Sequence, residues 1–248
     1  MEDGLLGDIF AACCREWPQT TAVTGALGSG KTEFVLNLAG GLKKIGRRVV
    51  IADADIINPY FCIRQITKSL EQEGFTILTP PKNAKWSDMS VINAAIGNTI
   101  AGMSSGLYDH LILDVGGGAG GVKALKQFEP DILSVSHQLI LTVNAYRPKT
   151  STPDGIKRMA AQMEALCGIK IGALVSNSHV MEPTTAADVA RGLDVVLEAG
   201  KSMNLPVLCA TVVPGLYEET RALLKDIVPV WPLVRFMKRP WEGSEIWS

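Results

Sequence analysis

Short, nearly continuous apolar runs alternate along this chain with longer stretches that have helical spacing. Because Val, Ile, Leu and Ala occupy successive positions in these runs, each run predicts a strand that is buried on both faces. The runs are QTTAVTGA (19–26), RRVVIADAD (47–55), HLILDVG (110–116), HQLILTVNA (137–145), KIGALVSNS (170–178) and PVLCATVV (206–213), with FTILTP (75–80) as a further candidate. The helical stretches between them cover 30–46, 59–74, 90–104, 153–167 and 185–203. The alternation predicts an α/β fold with a doubly wound, mainly parallel sheet, whose ligands bind at the carboxyl ends of the strands.

The two ends of the chain fall outside this alternation, which leaves 19–227 as the predicted central domain. Apolar residues with roughly helical spacing near the N-terminus predict a helical segment over 1–18 that packs on the domain. The alternative is a helix that contacts a partner or a membrane. Three of the five tryptophans lie in 228–248, where three prolines prevent a long amphipathic helix. We therefore expect an extended C-terminal tail that docks on the fold, in preference to a membrane anchor.

Composition excludes several classes of protein. The chain has 248 residues, 47% of them hydrophobic and 20% charged, which is typical of a globular protein. Its net charge of -1 gives no general attraction to nucleic acid or to an anionic membrane. The five scattered cysteines contain no C-x-x-C pair, which argues against a disulfide framework and against a zinc or cluster site. An acidic N-terminus without a signal pattern, and no apolar run of about twenty residues, lead us to expect a cytoplasmic protein without a transmembrane segment.

The sequence GALGSGKT, which directly follows the first predicted strand, matches the phosphate-binding pattern G-x-x-x-x-G-K-[ST]. Its glycines allow successive backbone N–H groups to turn inward around a phosphate, and the helix that follows directs its positive end at the anion. The lysine would reach the β- and γ-phosphates, and the threonine would bind Mg²⁺. A dinucleotide fingerprint does not fit, because Lys31, Thr32 and Glu33 follow the last glycine. The predicted nucleotide-binding residues of this loop are Gly25, Gly28, Ser29, Gly30, Lys31 and Thr32.

Two further segments place acidic residues at strand ends. Asp53 and Asp55 lie at the end of the second run and share one face of the strand. We expect Asp55 to orient the attacking water and Asp53 to take a supporting or Mg²⁺-linked role, although both residues are also typical of a helix N-cap. Asp114 ends the run HLILD, and the glycines after it, including Gly117, would contact the γ-phosphate through backbone N–H groups. Thr32, Asp53 and Asp114 are the predicted Mg²⁺ residues.

With GALGSGKT, ADAD and DVGGG in this order, the chain resembles the MinD/ParA/nitrogenase iron protein class of P-loop ATPases, the SIMIBI class, over about 19–225. The resemblance implies ATP and Mg²⁺ as cofactors, with Lys31, Asp55 and Asp114 as catalytic residues. It also implies an ATP-dependent homodimer that signals to a partner protein.

Two features depart from the pattern of that class. The class often has a second lysine near the start of the loop, which reaches the other subunit's phosphates, and here Ala26 occupies that position. Arg147 is a candidate to supply the positive charge of the missing lysine. The paired cysteines that bind a metal or cluster between subunits are also missing, so no iron–sulfur centre is expected. Cys62 is interpreted as a buried apolar residue rather than as a reactive thiol.

Features near the later strand ends favour ATP over GTP. GTP-binding P-loop proteins usually have an N-K-x-D motif, whose aspartate accepts hydrogen bonds from guanine. No such motif follows these strands. Relatives place an asparagine on adenine at the position of Asn177, and they line the base pocket at the position of Pro214. Arg147 and Lys149 are interpreted either as site residues or as solvated loop charges.

The sequence thus predicts a Mg²⁺-dependent ATP-hydrolysing nucleotide switch, for example in metallocentre assembly or partner regulation. Two alternatives use the same loop. One is a transferase or ligase of the dethiobiotin synthetase or cobyrinate diamide synthase type, which hands the phosphoryl group to a carboxylate. The other is a nucleotide-binding module with negligible turnover of its own.

Overall fold

The computed structural model describes residues 17–54, 63–79 and 89–237. Within these ranges the chain forms one parallel sheet of eight strands. The strand order is β3-β2-β4-β1-β5-β6-β7-β8, and every neighbouring pair is parallel. The carboxyl ends of β1, β4, β5 and β6 therefore lie side by side at one edge of the sheet. The strands are β1 (Thr20–Gly25), β2 (Val49–Ala54), β3 (Thr76–Leu78), β4 (His110–Val115), β5 (His137–Val143), β6 (Ile171–Ser176), β7 (Val207–Val212) and β8 (Val230–Pro232).

Helices connect these strands and cover both faces of the sheet. Short 3₁₀ turns lie at Ile63–Gln65, Leu125–Phe128 and Pro214–Leu216. The described α-helices are α1 (Lys31–Lys44), α2 (Thr67–Gln72), α3 (Met89–Ser104), α4 (Gly118–Ala124), α5 (Glu129–Leu133), α6 (Pro153–Cys167), α7 (Ala186–Met203) and α8 (Tyr217–Leu223).

Alternate residues of the strands supply two apolar layers, one on each face. Leu111 and Leu113 of β4 belong to a layer that contains residues of α3 to α7. Ile112, between them, belongs to the opposite layer with α1 and the chain after β7. Successive side chains of a strand point to opposite faces, so each central strand contributes to both layers. This arrangement explains why the strands have continuous apolar runs rather than alternating ones.

The predicted fold class is confirmed by this sheet and its helices. The strands that precede the motifs, β1, β2 and β4, end close to where their apolar runs end. Helix α6 has the predicted bounds, 153–167. The stretch predicted as one helix over 59–74 is described only from residue 63, where it contains a 3₁₀ turn and the short helix α2.

Several elements were not predicted from the sequence, and β8 is the most informative of them. The prolines in VPVWP argue against a strand, because proline cannot donate a ladder hydrogen bond. However, β8 is the last strand of the sheet, and proline is tolerated in such an edge strand. Residues 1–16 of the predicted N-terminal helical segment (1–18) and residues 238–248 of the predicted C-terminal tail (228–248) lie outside the described residues.

Candidate nucleotide-binding site

The loop between β1 and α1 has the backbone conformation that its glycines predict. Gly28 and Gly30 have φ angles of 71° and 79°, in the left-handed region that favours glycine. Gly25 ends β1, and a Cβ atom there would overlap the backbone oxygen of Thr142 in β5. The loop therefore packs directly on the neighbouring strand, and its length and shape are those of a phosphate-binding loop, or P-loop, ahead of a helix N-terminus.

Lys31 is buried at the start of α1, with 7% of its surface exposed. Its Nζ donates a hydrogen bond to the carbonyl oxygen of Ala26, 3.3 Å away across the loop. A Cβ atom on Gly117 would lie 3.2 Å from this ammonium group and 3.2 Å from the backbone nitrogen of Leu27. The glycine loop after β4 therefore packs against the P-loop at the lysine.

A short hydrogen bond joins the P-loop helix to the end of β4. The Thr32 hydroxyl donates to Asp114 Oδ2 at 2.7 Å, and Asp114 is almost fully buried. These two side chains, from residues 82 positions apart, were both predicted to contact Mg²⁺. The structure brings them together, because α1 begins directly beside the carboxyl end of β4.

Asp53 has a partner that the sequence analysis did not name. It is the register partner of Asp114 on the neighbouring strand β2, so the two acidic residues lie side by side. Asp53 is fully buried, and its Oδ2 forms an ion pair of 2.9 Å with Arg64 Nε. A buried carboxylate needs such compensation, because burial without a partner is costly. Asp55, the predicted water-orienting residue, lies outside the described residues, as does Cys62.

The donor set of this loop fits a polyphosphate with Mg²⁺. The Ser29 hydroxyl is buried and has no hydrogen-bond partner among the described residues, and such a group is available to a ligand oxygen. Lys31, the glycine amides and the Thr32–Asp114 pair complete the set. Within the described ranges there is no group of three or more His, Cys, Asp or Glu residues that could hold a metal. Mg²⁺ does not require such a group, since one or two protein ligands together with phosphates suffice.

The side chain of Asn177, just after β6, contacts the P-loop itself. Its Nδ2 donates to the carbonyl oxygen of Ser29 at 2.8 Å, and its Oδ1 accepts from the Thr211 hydroxyl at 2.6 Å. Asn177 is buried, with 8% of its surface exposed. Both ends of its amide thus bind protein groups, an arrangement that the sequence analysis, which assigned this residue to the base, did not predict.

Arg147 lies over the P-loop from the segment after β5. Its Nε donates to the carbonyl oxygen of Gly28 at 3.1 Å. The pKa of the nearby His179 is lowered, first by burial and second by the charge of Arg147. Arg147 thus places a guanidinium group beside the P-loop. Lys149 is exposed, and Pro214 begins the half-buried 3₁₀ turn after β7.

Residues 230–237, which we call the C-terminal segment, are bonded to the first turns of α1. The Glu33 carboxylate accepts the backbone N–H groups of Phe236 and Met237 at 2.9 and 2.8 Å. Burial raises the pKa of Glu33, and these two hydrogen bonds act in the opposite direction. Asn37 donates to the carbonyl oxygen of Val234 and accepts from its N–H, both at 2.8 Å. These hydrogen bonds join residues about 200 positions apart, and no local sequence pattern predicts them.

None of the helices within the described ranges is both long and apolar enough to cross a membrane.

A scan against protein-family models finds no matching family. A search of curated proteins finds no match either.

Solved structures with the same fold include two signal recognition particle proteins and FlhF. The signal recognition particle receptor FtsY from Elizabethkingia anophelis, in complex with GDP, is 18% identical with a TM-score of 0.55, and the match covers 82% of this chain and 62% of that chain. The signal recognition particle 54 kDa protein from Aeropyrum pernix, also in complex with GDP, is 15% identical with a TM-score of 0.53, covering 83% and 46%. FlhF complexed with GTP and Mg²⁺ is 15% identical with a TM-score of 0.51, covering 82% and 71%.

The chain thus spans about 62% of the length of the matched FtsY. These neighbours belong to the SIMIBI class of P-loop NTPases, and at this level of identity they inform on the fold rather than on the ligand. Together with the parallel sheet and the loop between β1 and α1, they establish that the chain has the P-loop NTPase fold.

Proposed function

We propose that this protein is a Mg²⁺-dependent ATP-binding and ATP-hydrolysing nucleotide switch of the MinD/ParA-like class. The observation that carries the proposal is the 2.7 Å hydrogen bond between Thr32 and Asp114, formed beside the buried ammonium group of Lys31. A hydroxyl and a carboxylate that already touch at a helix N-terminus are a suitable pair to hold Mg²⁺ against a bound triphosphate.

Each residue has a distinct task in this proposal. The amides of the P-loop and the Ser29 hydroxyl bind phosphate oxygens, and Lys31 neutralises charge on the β- and γ-phosphates. Thr32 and Asp114 would hold Mg²⁺, which supplies charge neutralisation at the phosphates. Gly117, packed against Lys31, is close enough for its loop to respond to the γ-phosphate.

Two lines support ATP as the nucleotide, although structural neighbours were solved with GDP or GTP. The segment after β6 reads Asn-Ser-His-Val from Asn177, without the aspartate that would accept from guanine N1 and N2. The resemblance to MinD/ParA proteins, based on GALGSGKT, ADAD and DVGGG, also implies ATP. Isothermal titration calorimetry with ATP and with GTP, each with and without Mg²⁺, tests the proposal directly. Failure of both nucleotides to bind would contradict it.

An ATP-dependent homodimer that acts on a partner protein in the cytoplasm is the functional form that we propose. The guanidinium group of Arg147 over Gly28 is a candidate for the charge that Ala26 does not provide.

Asp114→Asn is expected to reduce the Mg²⁺ dependence of nucleotide binding. The amide keeps an oxygen that accepts from Thr32, but it lacks the negative charge that favours the cation. Loss of a metal-binding or metal-orienting carboxylate typically lowers metal affinity about 10- to 100-fold. Titration of MgCl₂ at a fixed concentration of ATP measures this change. Asp194→Asn, at an exposed position in α7, is the matched control and should leave the titration unchanged.

Asp55→Ala is expected to retain ATP binding and to lose hydrolysis. The resemblance assigns Asp55 to the attacking water, whereas the P-loop binds the nucleotide. General-base or orienting groups of this kind contribute about 10²- to 10⁴-fold to the rate. Single-turnover assays of phosphate release, together with calorimetry for affinity, separate the two effects. Hydrolysis at the parental rate would show that another group orients the water.

A further inference from the structure

Two consecutive carbonyl oxygens of the P-loop are held from outside the loop. Arg147 binds the oxygen of Gly28, and Asn177 binds the oxygen of Ser29. The Asn177 contact is the more enclosed of the two, since Asn177 and Ser29 are both buried. A hydrogen bond in such a place is costly to break, because water does not easily replace the lost partner.

The amide of Asn177 is itself fixed in orientation. Ser29 offers a carbonyl oxygen, which only accepts, so the atom that faces it must be the amide nitrogen. On the other side, the Thr211 hydroxyl donates to Oδ1 from inside β7. The backbone N–H of Asn177 also donates to Val143 at the end of β5, at 2.8 Å. A path of hydrogen bonds thus runs from the sheet through Asn177 to the P-loop.

Because the peptide bond is planar, the contact between Asn177 and the Ser29 carbonyl also fixes the direction of the Gly30 N–H. In a trans peptide the C=O and the following N–H point in opposite directions. When Asn177 holds the Ser29 oxygen outward, the N–H of Gly30 must therefore point away from Asn177. Gly30 is the N-cap of α1, where a free backbone N–H is a phosphate ligand.

Close packing keeps this peptide in place. A Cβ atom on Gly30 would overlap the Nδ2 atom of Asn177, so the amide lies directly against the Gly30 backbone. There is no room between the two for a side chain, and a rotation of the peptide would break the bond to Ser29. The position of Gly30 is thus restricted by Asn177 as well as by its left-handed φ angle.

We propose that Asn177 is a positioning residue of the phosphate site, which aims the Gly30 N–H at the polyphosphate through the Ser29 carbonyl. It thereby contributes to the affinity for any nucleotide, and for pyrophosphate alone, instead of selecting adenine. The proposal rests on the nucleotide-binding function above and specifies the role of one residue within it.

The test is calorimetry of Mg-pyrophosphate, MgATP and MgGTP with the full chain and with Asn177→Ala. Loss of one buried hydrogen bond of this kind is expected to lower affinity roughly fivefold to tenfold. The decrease should be of similar size for all three ligands, so that the ratio of ATP to GTP affinity does not change. A normal pyrophosphate affinity combined with weaker ATP binding would overturn the proposal, because it would place Asn177 on the base.

Thr211→Val provides a second variant of nearly the same shape, which removes the hydroxyl that anchors the Asn177 amide. It should weaken pyrophosphate binding in the same direction, and Thr211→Ser should restore it. Unchanged pyrophosphate binding in both Asn177→Ala and Thr211→Val would also overturn the proposal. If the parental protein itself binds neither pyrophosphate nor nucleotide, the proposed function fails, and that outcome is distinct from failure of the Asn177 variants alone.

Discussion

Replacing Lys31 by methionine is expected to abolish most of the stabilisation that MgATP gives this protein, while the nucleotide-free protein remains folded. Lys31 is 7% exposed, and a buried ammonium group loses most of its hydration. Methionine has a similar length and fills the same space without that cost. The substitution therefore removes the contact to the ligand with little change in packing.

The expected sizes make the experiment decisive. A ligand present at one hundred times its dissociation constant stabilises a protein by about 2.7 kcal/mol. In a chain of this length that corresponds to an increase in melting temperature of about 5–10 °C. If the loss of charged hydrogen bonds weakens binding on the order of 100-fold, the same ligand concentration then shifts the melting temperature by only about 1 °C. Differential scanning fluorimetry with and without MgATP measures both numbers.

Lys44→Met is the matched control, because this lysine lies exposed at the other end of α1. It should keep the full response to MgATP. An undiminished response in Lys31→Met would mean that the nucleotide binds elsewhere, and the assignment of the P-loop would then be wrong.

The sequence predicted those parts of the site that depend on strand ends. GALGSGKT follows β1 and HLILD fills β4, and both strands were visible as apolar runs. Because adjacent parallel strands end at the same edge, the meeting of Thr32 and Asp114 followed from the two motifs. These parts were predictable because an apolar run and a glycine-rich loop can each be recognised from neighbouring residues in the sequence.

Contacts between distant segments were not predictable in this way. The bond from Asn37 to Val234 joins residues 197 positions apart, and no local pattern distinguishes Asn37 from a solvated helix residue. The same holds for Thr211, which supports Asn177, and for Arg64, which pairs with Asp53. These side chains acquire their roles from packing, whereas motif residues have a spacing that the chemistry itself requires.

The C-terminal segment packs closely on the helix that begins in the P-loop. Trp231 is 2% exposed and stacks on Phe34, with ring centroids 5.9 Å apart and planes inclined by 11°. The ring of Trp17 also packs on this indole, with centroids 6.0 Å apart and planes inclined by 44°. Phe34 lies two residues after Thr32 in α1, so this stack supports the first turn of the helix whose N-terminus faces the phosphates.

Trp231→Ala is therefore expected to be among the most destabilising single changes in the described part of the chain. Removing a buried tryptophan typically costs about 3–5 kcal/mol, through lost apolar contact and the cavity that remains. For a chain of this length we expect the melting temperature to fall by roughly 10 °C. Urea denaturation followed by circular dichroism measures the free energy of unfolding directly, and calorimetry of the surviving folded protein reports whether MgATP affinity falls as α1 loses its support.

Two further variants serve as comparisons for the stability of Trp231→Ala. Leu223→Ala removes an apolar side chain that is 52% exposed, so it should change the free energy of unfolding by less than about 0.5 kcal/mol. Trp231→Phe keeps an aromatic ring beside Phe34 and should fall between the parental protein and Trp231→Ala, which gives a usable variant if the alanine protein does not fold. A parental stability for Trp231→Ala would contradict the docking of the C-terminal segment on α1, since a buried ring that packs on Trp17 and Phe34 cannot be removed without loss of buried contact.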